Sequence, residues 1–388
     1  MPLPQPVRRP DGGAPETAAR RLAVREISLA LPGRDRSYRI LIDPGLRLRL
    51  PGLLDALRIR GRVFLVTDTR VGELYGEQSV SALKDAGYAP ALLTVPRGER
   101  AKTWAVAQRL AKELLAQGAD RSSPLIALGG GVVGDLTGFV ASIFMRGLPF
   151  IQVPTTLLAM VDAAIGGKTA INLPEGKNLL GTFHQPRLVA IDPQFLQTLP
   201  APQRRNGMAE VIKHGFIRAP DLLARLEKGT NRIFKDESEL TAIIHRAAAI
   251  KAEVVAADER EGGLRRILNF GHTLGHGLEQ ASKFRLPHGE AVAWGMLAAL
   301  DLSERLSGLP PQEAARGRQL IRSFGLAGPL TALDPRAVLS ALALDKKRQA
   351  DRVVFVLLQR LGEPVIRDDV PKSLIEQAVS ETFGLPLI

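Results

Sequence analysis

The chain has 388 residues, with 52 Lys and Arg against 40 Asp and Glu, a formal charge of +12, and ordinary hydrophobic (45%) and charged (24%) fractions. This excludes disorder throughout and leaves room for two domains with a sizeable core. There is no cysteine, which excludes disulfides and thiolate metal sites, so any metal must sit on His, Asp or Glu.

The excess of positive charge suits a ligand bearing phosphates and carboxylates. Nucleic acid fits less well, because aromatics are few (5%) and no long Lys/Arg run is present. Residues 1–22 are rich in Pro, Arg and Ala and have no apolar run. They are expected to form a disordered basic tail rather than a secretory signal. No stretch is long enough and free enough of charge to span a membrane, so no membrane partner is expected.

From there the chain alternates strands and helices. Ser37 to Ile42 and Arg62 to Thr67 read as strands, the second ending at Asp68. Gln78 to Gly87 suits a helix and Pro90 to Val95 a strand. Thr103 to Gly118 places Val106, Leu110 and Leu114 at helical spacing. Pro124 to Leu128 reads as a strand that Gly129 to Gly131 breaks, followed by a helix from Gly134 to Ile143 and a strand from Phe150 to Val153. This alternation predicts an α/β fold with a parallel sheet covered by helices. After the LPAP interruption near Leu199 to Pro202 the pattern turns helical, as in Leu240 to Ala257 and Glu290 to Leu306, with Arg352 to Leu358 the clearest strand. The expected division is a tail (1–22), a Rossmann-like nucleotide-binding domain (23–200) and a mainly α-helical metal-binding domain (201–388).

Leu125 to Asp135 reads strand, glycine turn, helix. Glycines let the backbone approach a pyrophosphate, and the helix start offers unpaired N–H groups and a positive dipole end. The run is neither G-x-G-x-x-G nor a Walker loop, and a tight strand-to-helix turn without a ligand is the alternative reading. Asp68, at the end of an earlier strand, could accept from a ribose hydroxyl or cap a helix. Thr155 and Thr156 end a strand with two hydroxyls. Lys168 and Lys177 sit near glycines in what read as loops, where they could meet anions.

Three of the six histidines, His272, His276 and His288, cluster in NFGHTLGH…HGE, and Glu210 lies upstream in MAEVIKHG. His272 and His276, at i and i+4, share a helix face. A catalytic zinc commonly takes three N/O ligands and keeps one position open. On residue chemistry alone His214, at i+4 from Glu210, could ligate, and so could His276. Lys251, Glu261, Arg265 and Asn269 add a polar density just upstream that core packing does not explain.

These stretches, GGGVVGDLTGF, VPTTLLAMVDAAIGGKTAIN, GKNLLGTFHQP, MAEVIKHG, KAEVVAADERE and LNFGHTLGH…HGEAV, resemble the motifs of the 3-dehydroquinate synthases. The likeness runs from about Arg62 to Lys347. It implies conversion of 3-deoxy-D-arabino-heptulosonate 7-phosphate to 3-dehydroquinate and phosphate in the shikimate pathway. The expected steps are transient oxidation by NAD, phosphate elimination, reduction and intramolecular aldol closure. It further implies a divalent metal, zinc or cobalt, and a cytoplasmic homodimer.

By position, the resemblance assigns the metal to Glu210, His272 and His288. NAD contacts fall on Asp68, Glu99, Lys102, Gly131, Val132, Val133, Gly134, Asp135, Thr155, Thr156, Lys177, Phe195 and Thr198, with Lys168 approaching the cofactor. Asp162, Lys168, Asn178, Lys213, Lys251, Arg265, Asn269 and His276 would line the substrate pocket. Arg146 would reach the neighbouring subunit's site, and the DKK motif supplies Lys346 or Lys347. Arg70 stands where some relatives carry a smaller polar residue. The alternatives are a cyclase acting on sedoheptulose 7-phosphate or glucose 6-phosphate and a metal-dependent polyol dehydrogenase. Asn269 and His276 fit the dehydroquinate pattern, and Arg265 suits a substrate carboxylate that those sugars lack.

Overall fold

Apolar runs bounded by glycine or charge build the sheet of the first lobe in this computed structural model, which describes residues 24–31, 36–330, 333–348 and 353–384. The expected tail (1–22) lies outside the described residues, as do the side chains of Lys346 and Lys347. In chain order this lobe runs β1 (Arg25–Leu29), β2 (Tyr38–Ile42), α1 (Leu50–Ala56), β3 (Arg62–Asp68), a single turn α2 (Thr69–Val71), α3 (Glu77–Asp85), β4 (Ala89–Val95), α4 (Trp104–Ala116), β5 (Leu125–Gly129), α5 (Gly131–Ile143), β6 (Phe150–Pro154), β7 (Lys168–Leu173), β8 (Gly176–Phe183) and β9 (Leu188–Ile191).

Seven of these strands form one sheet in the order β1-β2-β9-β6-β5-β3-β4. β1 pairs antiparallel to β2, and every other neighbour in the sheet is parallel. The expected elements are present, with shifted ends. The helix expected from Gly134 starts at Gly131, because the glycine turn itself supplies the first helical residue. The order reverses between β3 and β5, and such switch points open a crevice beyond the carboxyl ends of the strands.

Side chains alternate across β3. Phe64 and Val66 pack with Leu110, Leu114, Val133 and Leu136 beneath α4 and α5. Val63 and Leu65 face the other way, into a core that continues through Ile40, Ile126 and Leu128 to Ile212, Val255, Phe270 and Leu300. The second face of the sheet is thus buried against the C-terminal helices, and one apolar core joins the two lobes.

That helical region comprises α6 (Ala201–Arg218), α7 (Pro220–Leu226), α8 (Thr230–Ile233), α9 (Glu237–Ala257), α10 (His272–Ala281), α11 (His288–Leu306), α12 (Pro311–Ser323), α13 (Pro335–Arg348) and α14 (Lys372–Phe383), with a hairpin of β10 (Phe355–Arg360) and β11 (Glu363–Arg367). The last predicted strand therefore begins at Phe355, while Arg352 falls outside the described residues. Gly295 of α11 lies so close to the Gly271 carbonyl that a Cβ would overlap it, which lets α10 and α11 approach. Among the described residues no helix is long and apolar enough to cross a membrane.

One difference bears on the site. The segments carrying Lys168 and Lys177, expected as loops, are the antiparallel hairpin β7–β8. Its burial does not alternate cleanly, since β8 is largely exposed, so the strand period is weak in the sequence.

Candidate active site

A cleft of about 1190 Å³ lies beyond the carboxyl ends of the strands. Asp68, Arg97, Gly130 to Val133 and Thr155 line one side, and His276, Glu279 and His288 the other.

The turn after β5 is built by small size rather than unusual backbone angles. A Cβ on Gly129 would meet the Val133 Cβ at 2.6 Å, and one on Gly130 would meet the Thr156 Cγ2 at 3.0 Å. Gly130 caps α5 without a side-chain bond, so the N–H groups of the first turn are left for a ligand where Gly131, Val132 and Val133 line the cleft. Gly134 is buried against Gln152 and does not reach the cleft lining.

Asp68 lines the cleft and also caps α2, with Oδ1 accepting from the N–H of Arg70 at 2.9 Å and of Val71 at 3.0 Å. The capping reading of this residue therefore holds, and its side chain also faces the cleft. The Thr198 hydroxyl bonds Tyr75 at 2.6 Å, and Tyr75 packs edge-on against Phe195 at 4.8 Å. Sequence reasoning did not single out Tyr75, because nothing local marks it.

Lys102 is buried and donates to Asp135 at 2.6 Å and also to Asn178. Burial raises the Asp135 pKa, and Lys102 opposes that rise. Glu99 accepts from Asn172 at 2.8 Å. These bonds tie the start of α4 to the β7–β8 hairpin.

Across the cleft, α6, α10 and α11 bring Glu210, His272 and His288 together. Glu210 Oε1 lies 3.5 Å from His272 Nε2 and 3.3 Å from His288 Nε2. Tetrahedral ligands at about 2.1 Å from an ion sit roughly 3.4 Å apart, so these spacings fit a zinc-sized cation. Glu210 is fully buried, and neither of its oxygens receives an aligned hydrogen bond; Lys213 forms an ion pair with Oε2. A buried carboxylate with unsatisfied oxygens facing two imidazoles is the donor set a divalent ion needs. The other nitrogens point away. His272 Nδ1 is 3.2 Å from the Phe270 carbonyl, and His288 Nδ1 is 3.2 Å from Glu279 Oε2.

Burial opposes charge on His288, yet the carboxylates of Glu210 and Glu279 beside its two nitrogens push it up to about 10. The space beside Glu210 therefore favours positive charge. Burial drives His272 well below the usual histidine range, with Lys213 and the neighbouring imidazoles adding to the effect.

His214, an open alternative in the sequence, is fully buried, and burial followed by the Lys213 charge lowers it to about 3. It faces Asp162 at 3.8 Å, and together with Asp162 and Glu210 it forms a second group of ligand atoms within 4.8 Å of one another, in addition to the one Glu210 forms with His272 and His288. His276 lines the cleft, with its ring centre 5.3 Å from that of His272.

The remaining polar groups form paired networks. Lys251 donates to Asp162 at 2.6 Å, and Lys213 lies 3.8 Å from the same oxygen. Burial would raise Asp162, but Lys251 and then Lys213 hold its carboxyl well below the carboxylate range. Burial lowers Lys251 to about 8 although Asp162 opposes it. Lys168 pairs with Glu261, which also accepts from Asn269 at 2.9 Å.

Arg265 is buried, donating to the carbonyls of Gly166 at 3.2 Å and of Glu259. Asp162, Lys177 and Asn178 line the cleft; Lys168, Lys213, Lys251, Arg265 and Asn269 are not part of that lining. Arg146 is exposed in a left-handed turn after α5 and is not part of the lining. Glu279 was not singled out in the sequence, since its partners Lys177 and His288 come from other elements.

A parallel-sheet lobe with a glycine turn, facing a helical lobe that gathers Glu and His on the same cleft, defines a class of two-lobed nucleotide- and metal-dependent enzymes. Within that class the comparisons are specific. The family model for the 3-dehydroquinate synthase N-terminal region matches residues 92–206, and that for the C-terminal region matches residues 207–348. The 3-dehydroquinate synthase of Synechococcus sp. is 46% identical over 364 residues, covering 91% of this chain and 98% of the relative. The chain belongs to the 3-dehydroquinate synthase family.

Similar solved structures include a 2-epi-5-epi-valiolone synthase from Streptomyces hygroscopicus subsp. jinggangensis with NAD+ and Zn2+ bound, at 32% identity and TM-score 0.83, covering 91% of this chain and 98% of that one. A 2-deoxy-scyllo-inosose synthase complexed with carbaglucose-6-phosphate, NAD+ and Co2+ has the same TM-score at 26% identity, covering 92% and 99%.

Proposed function

We propose that this cleft converts 3-deoxy-D-arabino-heptulosonate 7-phosphate to 3-dehydroquinate and phosphate, as a phosphate-eliminating carbon–oxygen lyase of the shikimate pathway using NAD and zinc or cobalt. The observation that carries the reading is the meeting of the Glu210, His272 and His288 set with the glycine turn on one cleft, through His288 and Gly131. Relatives with the same activity are more similar in sequence than the other sugar-phosphate cyclases, which favours this substrate over sedoheptulose 7-phosphate.

NAD supplies a hydride acceptor that returns the hydride, and the divalent ion supplies Lewis acidity at the substrate's hydroxyls. Glu210, His272 and His288 would hold the ion, and Lys213 balances the buried carboxylate charge. Gly131, Val132 and Val133 with Thr155 and Thr156 would receive the dinucleotide phosphates, and Asp135, paired with Lys102, would contact the dinucleotide from the same turn. Asp68, Glu99, Lys102, Lys177, Phe195 and Thr198 would place the remainder of the dinucleotide.

Lys168, Lys251 and Arg265 would supply positive charge for the substrate carboxylate and the leaving phosphate, with Asp162 and Glu261 holding the lysines in position until the anion enters. Asn178 and Asn269 would orient the substrate, and His276 on the cleft wall is placed to hydrogen-bond it or relay a proton.

The two domains divide near residue 200. The active form is a cytoplasmic homodimer in which Arg146 and a lysine of the DKK motif complete the anion site. The test is phosphate release from the substrate with zinc and catalytic NAD. Accumulating NADH would favour a polyol dehydrogenase, while release from sedoheptulose 7-phosphate alone would favour another cyclase.

A further inference from the structure

Glu279 touches both halves of the cleft through its two oxygens. It is 5% exposed and lies on α10, one turn beyond His276. Its Oε2 lies 3.2 Å from Nδ1 of His288, the nitrogen opposite the one that faces Glu210. Its Oε1 accepts from Lys177 of β8 at 3.0 Å.

The contact with Lys177 is reinforced from the α10–α11 connection. The Lys177 ammonium sits 4.2 Å from the Phe284 ring centre. Lys283 and Phe284 both have left-handed backbone angles, φ 53° and 58°. Non-glycine residues rarely adopt that region, and two in succession imply that the surroundings hold the turn in place. The Phe284 N–H closes it by donating to the Glu279 carbonyl at 2.7 Å.

We propose that Glu279 is a positioning residue that couples the dinucleotide side of the cleft to the metal side. This rests on the metal and NAD reading given above. Through His288 it selects the tautomer with Nδ1 protonated and Nε2 free to ligate, a role carboxylates commonly play behind metal-bound histidines. Through Lys177 it makes that orientation depend on the β7–β8 hairpin. A ligand that draws on Lys177 alters the charge facing Glu279, and so the hold on His288. Thermodynamic linkage then requires that NAD and the metal change each other's affinity by the same factor.

The test measures zinc dissociation constants by competition with a chromophoric chelator, with and without saturating NAD, for the parent protein, Glu279→Gln and Lys177→Met. Glu279→Gln keeps the size of the side chain but loses its charge, and should weaken zinc by about 10- to 100-fold. The parent's zinc affinity should change when NAD is added. In both variants that response should vanish, and Lys177→Met without NAD should shift zinc affinity in the direction in which NAD shifts the parent, by less than Glu279→Gln does, because it removes the same charge from Glu279 while the Glu279–His288 bond survives.

Unchanged zinc affinity in Glu279→Gln, or an NAD response retained in either variant, overturns the proposal. So does a parent whose zinc affinity ignores NAD. A parent that binds no zinc, or whose binding survives Glu210→Ala, contradicts the underlying metal reading instead. Lys177→Met changes a half-buried side chain on the exposed strand β8, so it tests the coupling even where Glu279→Gln does not fold.

Discussion

The glycine turn and the Glu210 pocket face each other across one cleft but work by opposite means. Around Gly129 to Gly131 the chain removes side chains, so that backbone N–H groups and a helix end do the binding. Around Glu210 it buries full charges, with Lys213 and Lys251 paired to Asp162 and Arg265 buried nearby on the same side of the cleft. Isolated buried charge is strongly unfavourable, so every member of the second region depends on its partners. The first region should therefore tolerate change in stability while losing ligand affinity. The second should lose function and structure together.

The largest effect is expected at the centre of the charged region. Glu210→Ala removes the carboxylate between the two imidazoles and leaves Lys213 with only the 3.8 Å contact to Asp162. Turnover should fall on the order of 10³-fold or more, from the lost Lewis-acid contribution. Metal content measured by atomic emission should fall with it. Turnover near that of the parent would remove Glu210 from the metal site.

His276→Ala separates ligand from relay. Turnover should fall by about 10²-fold, within the range for a lost proton-transfer group, while metal content stays near that of the parent. Lost metal would make His276 a ligand instead.

Two glycine substitutions compare the regions directly. Gly295→Ala drives a methyl into the Gly271 carbonyl and should cost about 1–3 kcal/mol or more in chemical denaturation. In Gly131→Ala the added Cβ meets only the Ala163 Cβ, at 3.2 Å. Stability should change little, while the NAD dissociation constant rises roughly tenfold, about 1.4 kcal/mol. Equal losses of stability in the two variants would erase the distinction between the regions.

The smallest effect is one of pH. Burial lowers Lys251 to about 8, so it carries charge below that pH and loses it above. KM for the anionic substrate should rise by up to about tenfold between pH 7 and 9, in proportion to the lost ammonium. In Lys251→Met that limb should be absent.

The sequence made the two regions legible to different degrees. The strands that carry the turn were readable because RVFLVT and PLIAL are buried on both faces and so form unbroken apolar runs. β1 and β9 were missed, since one is a short edge strand of mixed polarity and the other only four residues long. The β7–β8 hairpin read as loop because Gly166, Gly167 and Gly176 punctuate it and β8 lies open to solvent.

The Glu210, His272 and His288 set is visible among the residues, but residue chemistry and spacing alone do not separate it from His214 and His276. Helical spacing allows all of them, and only the packing of α6 against α11 decides which nitrogens face Glu210. Glu279 and Tyr75 had no local signature, since their partners lie on other elements.

The most direct test follows phosphate release from 3-deoxy-D-arabino-heptulosonate 7-phosphate by the zinc-loaded protein with catalytic NAD, with nicotinamide absorbance recorded in parallel. Stoichiometric phosphate with no net NADH, and 3-dehydroquinate as the product, is the predicted result. A folded, metal-loaded protein that releases no phosphate, or that accumulates NADH, would contradict it.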